Sequence, residues 1–361
     1  MNKYYLPAEW EKQEGIQLTW PHEDTDWNDY LDDVNNVYVQ MANAITKHEK
    51  LFVVTPHKDK VKTLLCKHLS VEQMERITFH ECPTNDTWAR DHGFISLKKV
   101  LTTTSHYYNN EKSNKSDIKN ARDRILLDFQ FNGWGEKFKA DLDTKINCSL
   151  FENGVITGDY IDLNNFVLEG GSIESDGKGT IFTTSCCLLA PHRNQPLSKG
   201  DIEDRLKVYL HADRILWIDH GELIGDDTDG HIDTLVRTAP DNTLLYVGCD
   251  DTSDKQYAGL KLMEEQLRTF RSAEGKPYRL LKLPMPDAMF YDDERLPATY
   301  ANFIIINGAV ILPTYKQPDK DKEAQRIVQQ AFPDREIICI DSSVIVRQHG
   351  SLHCCSMQFP A

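Results

Sequence analysis

The 361-residue chain has no apolar run long enough to cross a bilayer: the longest, Phe303 to Pro313, is interrupted by Asn307 and Gly308. Its opening residues, MNKYYLPAEWEKQEG, contain no apolar core of a secretory signal. Basic residues are in deficit. There are 41 Lys and Arg against 56 Asp and Glu, a formal charge of −15 with no basic stripe. That balance speaks against nucleic acid or an anionic membrane as a partner and favours small cations. Cysteine is not scarce, but nine is an odd number, and without an export signal reduced thiols are expected, most of them small buried side chains. No linker rich in Pro, Gly or Ser divides the chain. The expectation is a soluble cytoplasmic protein with one domain over residues 1–361, and a homo-oligomer is left open.

What is present is an alternation of short β-rich runs with helical stretches. Strands are expected over Leu51 to Thr55, Ile77 to His80, Gly93 to Leu97, Phe166 to Leu168, Gly179 to Thr183, Arg214 to Ile218, Thr243 to Gly248, Asn302 to Ile306, Ala309 to Leu312 and Glu336 to Ile340. Apolar positions near a 3.6 period predict helices over Trp27 to His48, Lys58 to His68, Lys199 to Leu210, Ser253 to Ser272 and Lys320 to Ala331. The fold class is α/β. His106 to Asn120, rich in Asn, Lys and Ser, reads as a surface loop.

Chemistry-bearing residues fall at the ends of these strands. Asp91 precedes one, Glu169 ends another before Gly170-Gly171, His231 and Asp233 lie between two more, and Cys354 follows the last strand expected. As i and i+2 positions of an extended segment, His231 and Asp233 would share a side. Each has an ordinary alternative: Asp91 as the partner of Arg90, Glu169 as the start of a turn, Cys354 and Cys355 as core cysteines. A calcium loop at Gly225 to Val236 fails, because Gly230 in the sharp-turn position puts glycine and valine at the first and last ligand positions. Strand-end placement suggests repeated units converging on a central site.

Taken together, Trp20-Pro21-His22, Asn85 to Asp91, Phe131-Asn132-Gly133-Trp134-Gly135, Leu168 to Glu174, Asp176 to Thr180, Asp229 to Asp233, Asn307 to Pro313 and His353-Cys354 resemble the agmatine deiminase and Porphyromonas-type peptidylarginine deiminase family of guanidino-group-modifying enzymes. The resemblance runs through nearly the whole chain. It implies a five-bladed pseudosymmetric α/β propeller of the pentein type, with the site on its axis and neither organic cofactor nor metal. It further implies that Asp91 and Asp233 clamp a guanidinium, that Trp88 lies against its face, and that Cys354 attacks its central carbon. His231 would protonate the leaving ammonia and then deprotonate water, with Glu169 orienting it. Cys355 would be packed away.

The implied reaction is hydrolysis of a small cationic guanidine, agmatine first, to N-carbamoylputrescine and ammonia through a covalent thiouronium adduct. Arginine or peptidylarginine is the alternative substrate. Asp226 and Asp227 are the expected anchor for a terminal amine, with Asp227 the residue assigned to binding. The sequence departs from the family at Phe94, where proline is usual, and at Gly350-Ser351-Leu352, and these departures bear on the substrate tail. Two other classes stay open: a metallohydrolase built on His92, Asp91, His231, Asp233 and His353, and a catalytically inactive guanidine binder.

Overall fold

The structure, a computed structural model, describes residues 4–100 and 123–361. The segment His106 to Asn120 therefore lies outside the described residues. Among these, five sheets of three or four strands share one plan, an antiparallel pair followed through a crossover by a parallel strand. Ile95–Lys99 pairs with Arg124–Gln130, which then pairs in parallel with Asp159–Val167. The same order recurs in Ile173–Ser175, Thr180–Thr184 and Arg214–Ile218, and again in Val236–Ala239, Thr243–Val247 and Arg279–Leu283. A fourth sheet is Ile304–Ile306, Ala309–Thr314 and Glu336–Asp341. In the fifth, the antiparallel partners come from opposite ends of the chain: Ser356–Pro360 pairs with Gln13–Thr19, followed in parallel by Lys50–Thr55 and Ile77–Glu81.

A parallel pair needs a crossover, and here helices supply it. Leu31–His48 spans Gln13–Thr19 to Lys50–Thr55 and buries Val34, Val37, Tyr38, Met41, Ala42 and Ile45, a stripe at three- and four-residue spacing. Full burial of each of the larger side chains contributes roughly 1.5–3 kcal/mol. Lys199–Tyr209 begins with a capping box between Ser198 and Asp201, and Pro318–Ala331 opens on proline, whose missing N–H costs nothing in the first turn. Tyr257–Thr269 crosses over in the third sheet. No helix among the described residues is long and apolar enough to cross a membrane.

The sequence-based elements shift in informative places. Gly93 caps a short helical turn, Ala89–His92, and the strand begins at Ile95. Phe166 and Val167 end the nine-residue strand Asp159–Val167, with Leu168 just beyond it; the strand's outer positions are exposed and carry Asp and Asn, so its alternation is hidden. The fourth sheet starts at Ile304 and leaves Asn302 free to turn inward. Strands Gln13–Thr19, Arg124–Gln130, Ile173–Ser175, Val236–Ala239, Arg279–Leu283 and Ser356–Pro360 add to those expected from sequence; the first and last of these are buried on both faces and lack a period of two.

Candidate active site

Cys354 sits in the turn Leu352 to Cys355, before the strand Ser356–Pro360, so it precedes the last strand rather than following it. Its Sγ lies 3.8 Å from Asp233 Oδ2 and receives the Asn302 side-chain amide at 3.3 Å. Asn302 also donates to Asp233 Oδ2 at 3.2 Å, and its carbonyl accepts from the backbone N–H of His353 and Cys354. One asparagine thus fixes the cysteine and the carboxylate against each other. The thiol is buried beside Asp233 and Asp91, and burial first, then these two carboxylates, push it well above its ordinary value. Cys355 points the other way, onto Tyr38.

Asp91 reaches the same centre from the turn Ala89–His92. Its Oδ2 accepts from Trp134 Nε1 at 3.0 Å and its Oδ1 from the backbone N–H of Gly171 at 3.1 Å. Trp134 is delivered by a left-handed backbone: Gly133, Trp134 and Gly135 have φ of 68°, 56° and 83°, closed by Asn132, whose side chain accepts from the Gly135 N–H. Gly171 is required by close approach, since a Cβ there would stand 2.6 Å from His231 Nδ1 and 2.8 Å from Asp91 Oδ1. Burial pushes the Asp91 carboxyl up to about 6, with His231 pulling it back and Asp233 adding to the rise.

His231 and Asp233 lie on the short helical turn around Ile232–Thr234, not on a strand, yet both are fully buried. His231 Nδ1 is 3.6 Å from Asp91 Oδ1, and both ring nitrogens lack a hydrogen-bond partner. Glu169 lies within 4.8 Å of His231 but is held by Arg193, whose Nε donates to Glu169 Oε1 at 2.8 Å. Glu169 Oε2 has no partner. Arg193 also donates to Asp229 and to the Thr228 carbonyl.

A cavity opens onto Cys354 and Asp91 and is lined further by Trp88, Trp134, Phe138, Asp26, Asp86, Asp227 and His349. Asp227 is half-exposed at its rim. Asp226 is not a second anchor: its carboxylate accepts from the Thr228 N–H and hydroxyl and from the Gly230 N–H, shaping the loop that presents His231. The positions expected to bear on the tail separate too. Phe94 packs on Tyr160 and Leu352 lies in the core, while Gly350 borders the cavity. The five residues of the metallohydrolase reading do not form one donor set. His92 bonds Thr19, and both ring nitrogens of His353 face the carboxylates of Glu9 and Asp233.

The chain that brings a thiol, a histidine and three carboxylates to one buried centre is similar over nearly its full length to known proteins. The sequence profile of the Porphyromonas-type peptidyl-arginine deiminases covers residues 5–360. The chain belongs to this family. Agmatine deiminase of Medicago truncatula is 31% identical to it, over 99% of this chain and 96% of that protein. Among solved structures, a "Putative Arginine Deiminase" from Porphyromonas gingivalis is 46% identical, covers 99% and 98% of the two chains and superposes with a TM-score of 0.86. A cysteine-to-serine variant of C. jejuni agmatine deiminase with substrate bound is 34% identical, covers 99% and 96%, and has a TM-score of 0.85. The mixed α/β fold is thus the fold of the agmatine deiminases.

Asn302, Arg193, Trp134, Glu9 and Arg237 were missed as parts or supports of the site. Trp134 had a signal, a tryptophan between two glycines; the others are single polar residues in unremarkable contexts.

Proposed function

We propose that this family member is a cysteine-dependent deiminase acting on a small guanidinium, with agmatine as its preferred substrate. The observation that carries the reading is the placement of Cys354 Sγ 3.8 Å from Asp233, with Asp91 across the same centre. Without ligand, burial and then the two carboxylates hold the thiol protonated; a guanidinium bound between the carboxylates cancels their field and favours the thiolate. The thiol proton passes to His231, and the thiolate forms a C–S bond at the guanidinium carbon. The C–N bond to ammonia then breaks as His231 supplies a proton, leaving a thiouronium adduct. Water deprotonated by His231 attacks the adduct, the C–S bond breaks, and a ureido product and the thiol result. Trp88 covers the face of the cation, and Glu169 supports the charged form of His231. The five like-built sheets support a five-bladed propeller with this site at its axis.

The cavity wall supports the choice of tail. Asp26, Asp86, Asp91 and Asp227 line it, and among the described lining residues there is no lysine or arginine. The free amine of agmatine gains from that surface, whereas the α-carboxylate of arginine would be desolvated with no strong cation to meet it. Arginine remains the second reading because the 46% identical structure bears that enzyme's name. The test is a panel of agmatine, arginine and blocked arginine peptides, scored by ammonia and ureido product. Agmatine is expected to give the highest kcat/KM by at least tenfold, and Cys354→Ala to give no measurable turnover where Cys355→Ala stays within about threefold of the parent. Turnover by Cys354→Ala would end the covalent reading, and arginine in first place would end the tail assignment.

A further inference from the structure

Against Asp233 packs a buried ionic cluster that the mechanism above leaves unused. The His353 ring is enclosed between two carboxylates: Nδ1 stands 2.7 Å from Asp233 Oδ2 and Nε2 stands 2.8 Å from Glu9 Oε2. Glu9, from the N-terminal segment, is itself fully engaged, with Arg237 Nη2 donating to Oε2 at 2.6 Å and the Ile305 N–H donating to Oε1 at 2.8 Å. Arg237 bonds Glu174 at 2.5 Å, and Glu174 accepts from the Thr238 N–H and hydroxyl. All of these side chains are buried.

Arg237 Nη2 also stands 3.1 Å from Nε2, but Glu9 Oε2 is nearer, and a neutral imidazole, with one N–H and one lone pair, would press that lone pair against a carboxylate oxygen at under 3 Å. Two N–H donors satisfy both contacts. The count of charge agrees, because the three carboxylates Glu9, Glu174 and Asp233 face two buried guanidiniums, Arg237 and Arg90, and an imidazolium offsets the remaining negative charge. Asp233 gains a fixed orientation from the arrangement. Its Oδ2 is held by His353 and Asn302, while Oδ1 has no partner and stays available.

We propose that Glu9 and His353 are positioning residues of the guanidinium clamp: Glu9 holds a doubly protonated His353, which holds Asp233 by Oδ2 so that Oδ1 is free for the cation. The proposal rests on the deiminase reading for its consequence but not for its geometry. Neither residue touches the reacting atoms. What they control is the aim of a carboxylate, and a misplacement of about 1 Å costs on the order of a hundredfold in rate or binding.

Two measurements test it. In substrate-free protein carrying ¹⁵N-labelled histidine, at pH 7, His353 is expected to show two ring N–H signals, both lost in His353→Gln and one of them displaced in Glu9→Gln, which leaves the ring in place. A single N–H on this ring overturns the proposal, and the measurement stands even if no guanidine is turned over, an outcome that would sink the deiminase reading alone. In the second, Glu9→Gln is expected to raise KM for the best substrate of the panel at least tenfold while kcat changes by less than threefold. If Glu9 merely ties down the N-terminal segment, the variant will lose Tm and active fraction with KM unchanged, and the positioning role is refuted.

Discussion

Asp91 carries a prediction that belongs to one residue. A carboxyl that burial pushes up to about 6 keeps its proton below that pH and then offers a guanidinium no charge. The expected kcat/KM falls as pH drops through about 6, measured from pH 4.5 to 8. The same residue acts on stability with the opposite sense. Between its ordinary 3.8 and about 6 the folded protein holds a proton that the unfolded chain has lost, so this group favours folding at acid pH and that advantage is lost as pH rises through about 6. In Asp91→Asn the limb should vanish along with most of the activity. A limb that persists in its residual rate would belong to another group, of which Asp86, also raised to about 6 by burial, is the nearest candidate.

At the scale of elements, the centre is assembled from turns between strands, and tight turns demand small residues. Gly171 is the sharpest case, because its backbone N–H bonds Asp91 while its missing side chain leaves room for the His231 ring. Gly171→Ala should keep the fold, since φ there is not in the left-handed region, and should lower kcat/KM by about a hundredfold through displacement of His231 and Asp91. Circular dichroism and kinetics together check this; near-parental kinetics would mean that the turn yields without moving the two side chains. The pair Gly170-Gly171 was visible in the sequence as a turn. Its reason was not, because the atoms it makes room for come 60 residues downstream and 80 residues upstream.

The whole molecule is closed by its ends: Ser356–Pro360 pairs with Gln13–Thr19 directly after the turn that carries Cys354. Phe359 is fully buried there against Phe52, at 5.5 Å between ring centres, and stacks under the Arg124 guanidinium. Phe359→Ala should cost about 3–5 kcal/mol in denaturant unfolding. A cost below about 1 kcal/mol would show that this closure contributes little. The α/β alternation and the negative charge were legible in the sequence because periodicity and residue chemistry are local properties, while the joining of Asp91, Glu169, His231, Asp233 and Cys354 in one constellation came from the resemblance of the ordered motifs to a known family. Which strand pairs with which, that Asp226 shapes a loop while Asp227 reaches the cavity, and that Glu9, Arg193, Arg237 and Asn302 stand behind the site were decided only by tertiary structure. Those residues act through partners up to 344 positions away, such as Glu9 on His353, and a contact between distant positions leaves no mark on the spacing of either.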